Sequence, residues 1–522
     1  MDPRRRRVQT VLVPFNVADF LERAATVYPD RVGVIDEPDQ PAESWGPLSF
    51  GELARRAKAQ AAGLDALGVG RGERVAVVSH NAARLLTAFT GVSGYGRTLV
   101  PINFRLSAAE VGYIVEHSGA KVLIVDPELD DALSSVNVDG PRFVIGTESD
   151  EELYRYGVEP EPWESDESAL ATLNYTSGTT ARPKGVMLTH RNCWVNATSF
   201  GWHAAVTDRD VYLHTLPMFH ANGWGMLWAT VGVGAPQVVI RKIDGLEILR
   251  RVAQHGVTVA CAAPAVVSAV LGAAPDWDGP IPGRDRVRII VAGAPPPSRT
   301  IEQVESELGW EFIQIYGLTE TSPLVTMNRS RAEWDHLSGE DRARKLVRAG
   351  APVIGTRVKT DAEGEILVRS NTVMEGYWQQ PEASAEVLVD GWFRTGDGGL
   401  VDEEAYLQIS DRKKDVIITG GENVSSIEVE DAVFSHPKVA EVAVIGVPDD
   451  KWGELVTALV TVVPGEELTS EELIAHVRTL LAGYKCPKRV ELRDTLPRTA
   501  TGKLQKFKLR AEFWEEENRQ VN

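Results

Sequence analysis

Tyr175-Thr176-Ser177-Gly178-Thr179-Thr180-Ala181-Arg182-Pro183-Lys184-Gly185 gathers hydroxyls, glycine and a lysine into one turn. Hydroxyls and exposed backbone N–H groups in such a loop cradle phosphate oxygens, and the lysine adds a mobile cation. The apolar run at residues 170–175 leads into it and reads as a strand end. The stretch therefore reads as a polyphosphate cradle at a sheet edge. The competing reading is a flexible Ser/Thr/Gly surface loop. A P-loop kinase or ATPase fits poorly, because Gly185 follows Lys184 and the G-x-x-x-x-G-K-[ST] spacing is not met.

The chain around this turn has 522 residues, too many for one core, so two or more domains are expected. It is 43% hydrophobic and 25% charged, an ordinary globular balance. A net charge of -19 excludes a general nucleic-acid surface, so anion binding must be local. Cys193, Cys261 and Cys486 lie far apart and in no metal-ligand spacing, which fits a reducing, cytoplasmic location. No apolar run reaches membrane-spanning length, so no integral membrane association is expected. The basic start, Met1 to Arg7, lacks an apolar stretch behind it and reads as a tail rather than a secretory signal.

Strand-like runs at residues 74–79, 121–126, 238–240, 257–261, 287–291 and 312–316 alternate with helical patterns at 82–94, 246–255 and 298–308. That alternation predicts an α/β fold with parallel sheets covered on both faces. From about Gly350 the texture changes, and residues 365–369 with the glycine- and aromatic-rich part at 376–399 predict an antiparallel, barrel-like section. The charged cluster Asp411-Arg412-Lys413-Lys414-Asp415 reads as a hinge. Beyond it, strands at 439–447 and 455–463 with helices at 425–435 and 470–482 predict a small α+β domain.

Four further islands carry chemistry. Leu216-Pro217-Met218-Phe219-His220-Ala221-Asn222-Gly223-Trp224 has an imidazole and aromatics suited to a pocket mouth, although a lone histidine is more often simply packed. Tyr316-Gly317-Leu318-Thr319-Glu320-Thr321 follows a strand, where a ligand at the carboxyl edge of a sheet is met first. There Tyr316 can stack on a base, Thr319 can reach a phosphate, and Glu320 can hold Mg²⁺ through oxygen. The preceding strand end, Val291-Ala292-Gly293-Ala294-Pro295, offers a backbone edge to adenine. In Gly391-Trp392-Phe393-Arg394-Thr395-Gly396-Asp397, an aspartate in a glycine turn can accept both ribose hydroxyls, or serve only as a turn residue. Pro497-Arg498-Thr499-Ala500-Thr501-Gly502-Lys503 presents one lysine on a polar loop.

With these islands in this order, the chain resembles the adenylate-forming superfamily, and the loop and the segment at 217–224 look most like its acyl-CoA synthetase branch. The resemblance runs from Pro101-Ile102-Asn103-Phe104-Arg105 to Lys503. It implies a large N-terminal domain of parallel-sheet α/β subdomains plus the barrel-like part (residues 1–411) and a mobile C-terminal lid (residues 412–522) hinged near Lys414. It implies ATP, released as AMP, with Mg²⁺ and coenzyme A as cofactors, and a small carboxylic acid as substrate; a homodimer is compatible with it. Thr176, Ser177, Gly178, Thr179, Thr180 and Lys184 would wrap the phosphates. Gly293, Ala294, Pro295, Tyr316 and Gly317 would border adenine. Asp397 and Arg412 would hold the ribose. Thr176 and Glu320 would bind the metal, and Thr319 would touch the α-phosphate. Lys503 would bridge the acid and α-phosphate, and Gly420 and Gly421 would enter the site in the second half-reaction. His220, Trp224, Val291, Gly317 and Leu318 would line the acid pocket, with His220 as its gate.

One position departs from the family pattern: Ala181 stands where glycine is common. If a left-handed backbone is required there, alanine costs on the order of 1 kcal/mol and slows adenylation. The departure keeps open a ligase that only thioesterifies a preformed acyl-adenylate. A stand-alone enzyme loading a carrier protein stays open as well, and so does a non-catalytic nucleotide-binding regulator. The acid itself is not legible.

Overall fold

The computed structural model describes residues 12–146, 149–176, 182–293, 296–412, 415–420, 422–449, 452–498 and 504–514. Among these, the strands form four sheets.

A seven-stranded sheet runs in the order Gly376–Tyr377, Lys184–Thr189, Leu170–Thr176, Thr98–Ile102, Arg74–Val78, Ala120–Val125, Arg142–Val144. The last five of these strands are mutually parallel, and the first two add antiparallel at the edge. Val75 and Val77 face one core while Ala76 and Val78 face another, as the period-two alternation of a strand requires. A strand apolar on both faces must be covered on both. The helix Ala108–Ser118 covers the outer face with Val111, Ile114 and Val115. It starts in a capping box between Ser107 and Glu110 and stops at Gly119, whose φ of 62° is left-handed.

The nine-stranded sheet runs Ala351–Pro352, Leu324–Arg329, Glu311–Gly317, Arg288–Val291, Val259–Ala262, Tyr212–His214, Gln237–Val239, Val32–Ile35, Pro47–Ser49. Its interior strands are parallel, and antiparallel partners close both ends. The two sheets share one apolar layer in which Leu99 and Val122 from the first join Cys261, Ile290 and Ile313 from the second. Each fully buried Leu, Ile or Val there contributes about 1.5–3 kcal/mol.

Two polar clamps bring the carboxyl edges of these sheets together. Asn81, three residues past the strand Arg74–Val78, donates its amide N–H groups to the carbonyls of His214 and Leu216 at 3.0 Å and of Ile240 at 3.3 Å, and its Oδ1 accepts from Met218 N–H at 2.8 Å. Arg241 pairs with Asp126, 2.8 Å apart and both buried. Each clamp joins the end of a strand in one sheet to the end of a strand in the other. The crevice outside parallel strand ends is where an open α/β fold binds ligands.

The barrel-like section is a five-stranded antiparallel sheet with Arg357–Thr360, Glu365–Arg369, Trp392–Val401 and Leu388–Val389 in order, and Leu407–Arg412 paired to Trp392–Val401. The C-terminal part has its own sheet, with Glu422–Val424, Ile417–Thr419, Gly453–Val462 and Val439–Asp449 in order and Arg489–Leu492 parallel to Gly453–Val462. Val424, Val429, Val444, Val456, Leu473 and Val477 form a separate core beneath it. The helix expected at 470–482 stops at Arg478, because the amides of Leu480 and Leu481 both turn back onto the carbonyl of Val477. Asp431 of this part accepts from the backbone N–H and hydroxyl of Ser298 at 3.1 and 3.3 Å, which seats it against the segment following Gly293.

Candidate active site

The hydroxyl-rich turn is the connection of a hairpin. Leu170–Thr176 and Lys184–Thr189 are antiparallel, with Thr176 opposite Lys184. Ser177, Gly178, Thr179, Thr180 and Ala181 lie outside the described residues. Aromatic rings support both sides of the connection. The Arg182 guanidinium sits 5.2 Å from the Tyr113 ring centroid, and Lys184 Nζ sits 4.9 Å from that of Tyr377. Tyr175 and His117 Nδ1 share a 2.8 Å hydrogen bond below the turn, and burial pushes the Tyr175 hydroxyl well above its ordinary pKa. Such cation–π contacts contribute roughly 0.5–2 kcal/mol and hold a cation without neutralising it. Lys184 thus keeps its charge available to an anion.

The strand Glu311–Gly317 ends on the second island. Gly317 fits only as glycine, since a Cβ there would lie 1.6 Å from the Pro323 carbonyl oxygen. Tyr316 is 8% and Asp397 7% exposed, and the Tyr316 hydroxyl donates to Asp397 Oδ2 at 2.8 Å. Asp397 follows Gly396 at φ 72° and stands directly opposite Arg412 across the antiparallel pair. The residues expected to hold base and ribose are therefore direct neighbours. Leu318 is half-buried against the central core, and Thr319–Thr321 form a short helical turn that exposes Thr319 and Glu320 in part. Gly293, two residues past the strand Arg288–Val291, has φ 103°, a conformation that favours glycine; Ala294 and Pro295 lie outside the described residues.

Glu320 has a partner that the sequence did not suggest. Tyr377 donates from its hydroxyl to Glu320 Oε1 at 2.9 Å. Burial, with the Glu320 carboxylate, pushes the Tyr377 hydroxyl pKa far up, so the phenol remains a donor. The Glu320 carbonyl accepts from Met374 N–H at 2.9 Å, and the Ser322 hydroxyl donates to the Thr372 carbonyl at 2.8 Å. An unbroken line of contacts therefore runs from Lys184 to Tyr377 to Glu320, along the backbone to Tyr316, and on to Asp397.

His220 opens an unusual turn. Ala221, Asn222, Gly223 and Trp224 all have positive φ, between 45° and 59°. The left-handed region costs a non-glycine residue on the order of 1–2 kcal/mol. Buried amides offset that cost. Asn222 donates to Thr172 Oγ1 at 2.9 Å and accepts from Asn174 Nδ2 at 3.0 Å, while Asn196 donates to the Trp224 carbonyl at 3.0 Å. The turn sets His220 half-buried at its start and Trp224, 4% exposed, at its end. Val291, expected at the acid pocket, ends the strand Arg288–Val291. It is fully buried in the outer core beneath the nine-stranded sheet, because strand alternation turns it from the central layer that holds Ile290. Met226 and Trp228 likewise belong to the helical core, where Trp228 meets Phe89 edge-on at 5.7 Å.

On the lid side, Gly420 is exposed at φ 61° and donates its N–H to the Trp452 carbonyl at 2.7 Å. Gly421, Lys414 and Lys503 lie outside the described residues, as does the side chain of Arg412. Among the described residues, no group of three or more His, Cys, Asp or Glu side chains gathers for a metal ion. One carboxylate and one hydroxyl, Glu320 and Thr176, suit an ion that takes most of its oxygens from phosphates and water, as Mg²⁺ does. Roles for Asn81, Asn174, Asn222 and Tyr377 carry no signal in the sequence. Asn222 lies within the His220 motif and Asn174 borders the phosphate turn, but only the fold shows what their amides hold.

A family profile described as "AMP-binding enzyme" matches residues 21–378, and "AMP-binding enzyme C-terminal domain" matches residues 428–503. The chain is 37% identical to 2-methylpropanoate–CoA ligase of Humulus lupulus, over 95% of each chain. It is 38% identical to 4-hydroxybutyrate–CoA ligase 2 of Metallosphaera sedula, over 94% of this chain and 93% of the relative. It is 30% identical to o-succinylbenzoate CoA synthetase of Bacillus subtilis, solved with its acyl-adenylate intermediate, with a TM-score of 0.80 over 94% of this chain and 97% of that one.

Proposed function

The chain belongs to the AMP-binding enzyme family, and from that premise we propose how its own side chains divide the work of one reaction. It is an ATP-dependent, AMP-forming acid–CoA ligase that uses Mg²⁺ and coenzyme A.

In the first step the carboxylate oxygen of the acid bonds to the α-phosphorus as the bond to the bridging oxygen breaks and pyrophosphate leaves. In the second, the thiolate of coenzyme A attacks the acyl carbonyl and AMP departs. Two anions must meet in the first step. Lys184, on its aromatic support, lies along the β- and γ-phosphates, and Lys503 bridges the carboxylate and the α-phosphate. Glu320 and Thr176 would hold Mg²⁺, which would supply charge neutralisation on the phosphates. Thr319 contacts the α-phosphate, Tyr316 lies against adenine, and Asp397 with Arg412 accepts and fixes the ribose. The lid, residues 412–522, turns about Lys414 between the steps and brings Gly420 and Gly421 to the site.

The observation that carries this assignment is the contact line from Lys184 through Tyr377 and Glu320 to Tyr316 and Asp397. It gathers the residues assigned here to phosphate, metal, base and ribose along one continuous run of contacts, which supports their serving a single nucleotide. The acid is proposed to be short and aliphatic. The two relatives named for four-carbon acids support this, and so does the closed, amide-pinned turn that holds Trp224. A panel of carboxylic acids in ATP–pyrophosphate exchange tests it. Exchange driven by four-carbon acids, with AMP release dependent on coenzyme A, supports the reading. Thioester from supplied adenylate without exchange favours the thioesterification-only enzyme, and exchange without a coenzyme A product favours carrier loading.

Among the described residues, no helix is long and apolar enough to cross a membrane. All three cysteines are buried and unpaired, which supports a cytoplasmic location; a homodimer is a further proposal that light scattering reads.

A further inference from the structure

We propose that Tyr377 is a positioning residue that fixes the carboxylate of Glu320 toward the metal ion and, through its ring, places the ammonium of Lys184, so that metal and phosphate-loop lysine are aligned by one side chain. The inference rests on the ligase reading for the role of Glu320, and adds to it a residue outside the nucleotide-contacting set.

The geometry is specific. The Tyr377 hydroxyl reaches Glu320 Oε1 at 2.9 Å, and Lys184 Nζ lies 4.9 Å from the centroid of the same ring. The ring is 8% exposed, while its partners Glu320 and Lys184 are half-buried. Its backbone is held from three sides. Tyr377 pairs with Val186 on the hairpin strand that begins at Lys184, its N–H donates to Ser384 Oγ at 2.8 Å, and the next residue, Trp378, donates its N–H to the Gly185 carbonyl at 2.7 Å. The Glu320 backbone is tied to the same segment through Met374 N–H. A phenol donor on a rigid strand restricts the side-chain torsions of a carboxylate on a short turn and would orient that carboxylate toward a cation. Removing an outer partner of this kind typically weakens metal affinity about 10–100-fold. The ring acts separately, because a cation over an aromatic face is placed without being neutralised.

The two contacts are separable. Tyr377→Phe keeps the ring and loses the hydroxyl, whereas Tyr377→Leu loses both. Mn²⁺ serves as the probe, titrated by electron paramagnetic resonance into the full-length protein saturated with a non-hydrolysable ATP analogue. Nucleotide affinity is measured in parallel by calorimetry in EDTA. Tyr377→Phe is expected to weaken Mn²⁺ binding about ten-fold and leave metal-free nucleotide affinity unchanged. Tyr377→Leu is expected to weaken both. In a Glu320→Gln background, Tyr377→Phe should add nothing to the loss of Mn²⁺ affinity. Unchanged Mn²⁺ affinity in Tyr377→Phe overturns the proposal, as does an equal further loss in the Glu320→Gln background. A wild-type protein that binds nucleotide and Mn²⁺ but shows no acid-dependent exchange contradicts the ligase reading alone.

Discussion

The Tyr316 hydroxyl donates to Asp397 Oδ2 at 2.8 Å across a boundary between two sheets, in a contact almost closed to solvent. Tyr316 ends a strand of the nine-stranded sheet, and Asp397 sits mid-strand in the five-stranded antiparallel one. Residues 81 positions apart are thus locked at the corner where base and ribose meet.

If Asp397 accepts from the ribose hydroxyls, its charge discriminates ATP from sugars lacking them. Asp397→Asn keeps the shape and halves the acceptor capacity. We expect a rise in KM for ATP of roughly ten-fold or more, equivalent to the loss of one charged hydrogen bond of about 1.5–3 kcal/mol. Preference for ATP over 2′,3′-dideoxy-ATP should fall with it. Unchanged preference would place the ribose elsewhere.

Asn222 holds the left-handed turn through Thr172 and Asn174. Asn222→Ala strands two buried polar partners and is expected to cost about 1–3 kcal/mol in chemical denaturation. Because the turn bears His220 and Trp224, KM for the acid should rise more than KM for ATP. Equal increases in both would separate the turn from the acid pocket.

Burial pushes the imidazoles of His190 and His214 down to about 4. His190 Nδ1 accepts from Val17 N–H at 3.3 Å, which requires the neutral ring. In the unfolded chain both titrate near about 6.5. Between these values the unfolded state binds more protons, so stability falls as pH drops from about 6.5 toward 4, by about 1.4 kcal/mol per pH unit for each histidine. His190→Asn, whose carbonyl replaces the acceptor, should flatten that slope by one histidine's share in urea titrations between about pH 6.5 and 5. An unchanged slope would contradict it.

Lys503 is assigned by its motif. Lys503→Ala should slow acid-dependent exchange by about 10² or more, the scale of one electrostatic contact made in a transition state. Thioester formation from supplied acyl-adenylate should change only a few-fold. Equal loss in both half-reactions would refute the division of labour.

Local pattern makes much of the fold legible. Strands such as Arg74–Val78 and Glu311–Gly317 are short β-branched runs, and the helix Gly245–His255 carries its period and caps in the sequence. The hairpin at Thr176 and Lys184 and the strand end near Tyr316 are readable because glycine, hydroxyl and charge cluster there, whereas Asp397, read as a turn residue, lies within the strand Trp392–Val401. Long-range pairing is not readable. Nothing in Gly376-Tyr377-Trp378 announces that it will join a seven-stranded sheet beside Lys184, since two-residue pairing carries no period. Nothing in Asn81 foretells three carbonyl partners from a different sheet. Five consecutive positive φ values after His220 include three non-glycine residues, Ala221, Asn222 and Trp224, which composition does not signal. The sequence marks Val291 as a strand end but not the face its side chain takes, which is the outer core.

The most direct test is a crystal structure of the protein with AMP bound. The account predicts adenine against Tyr316, both ribose hydroxyls on Asp397, and the phosphate directed toward Thr176 and Thr319. Nucleotide density away from Asp397, or a phosphate pointing away from the hairpin that Thr176 and Lys184 close, would contradict it.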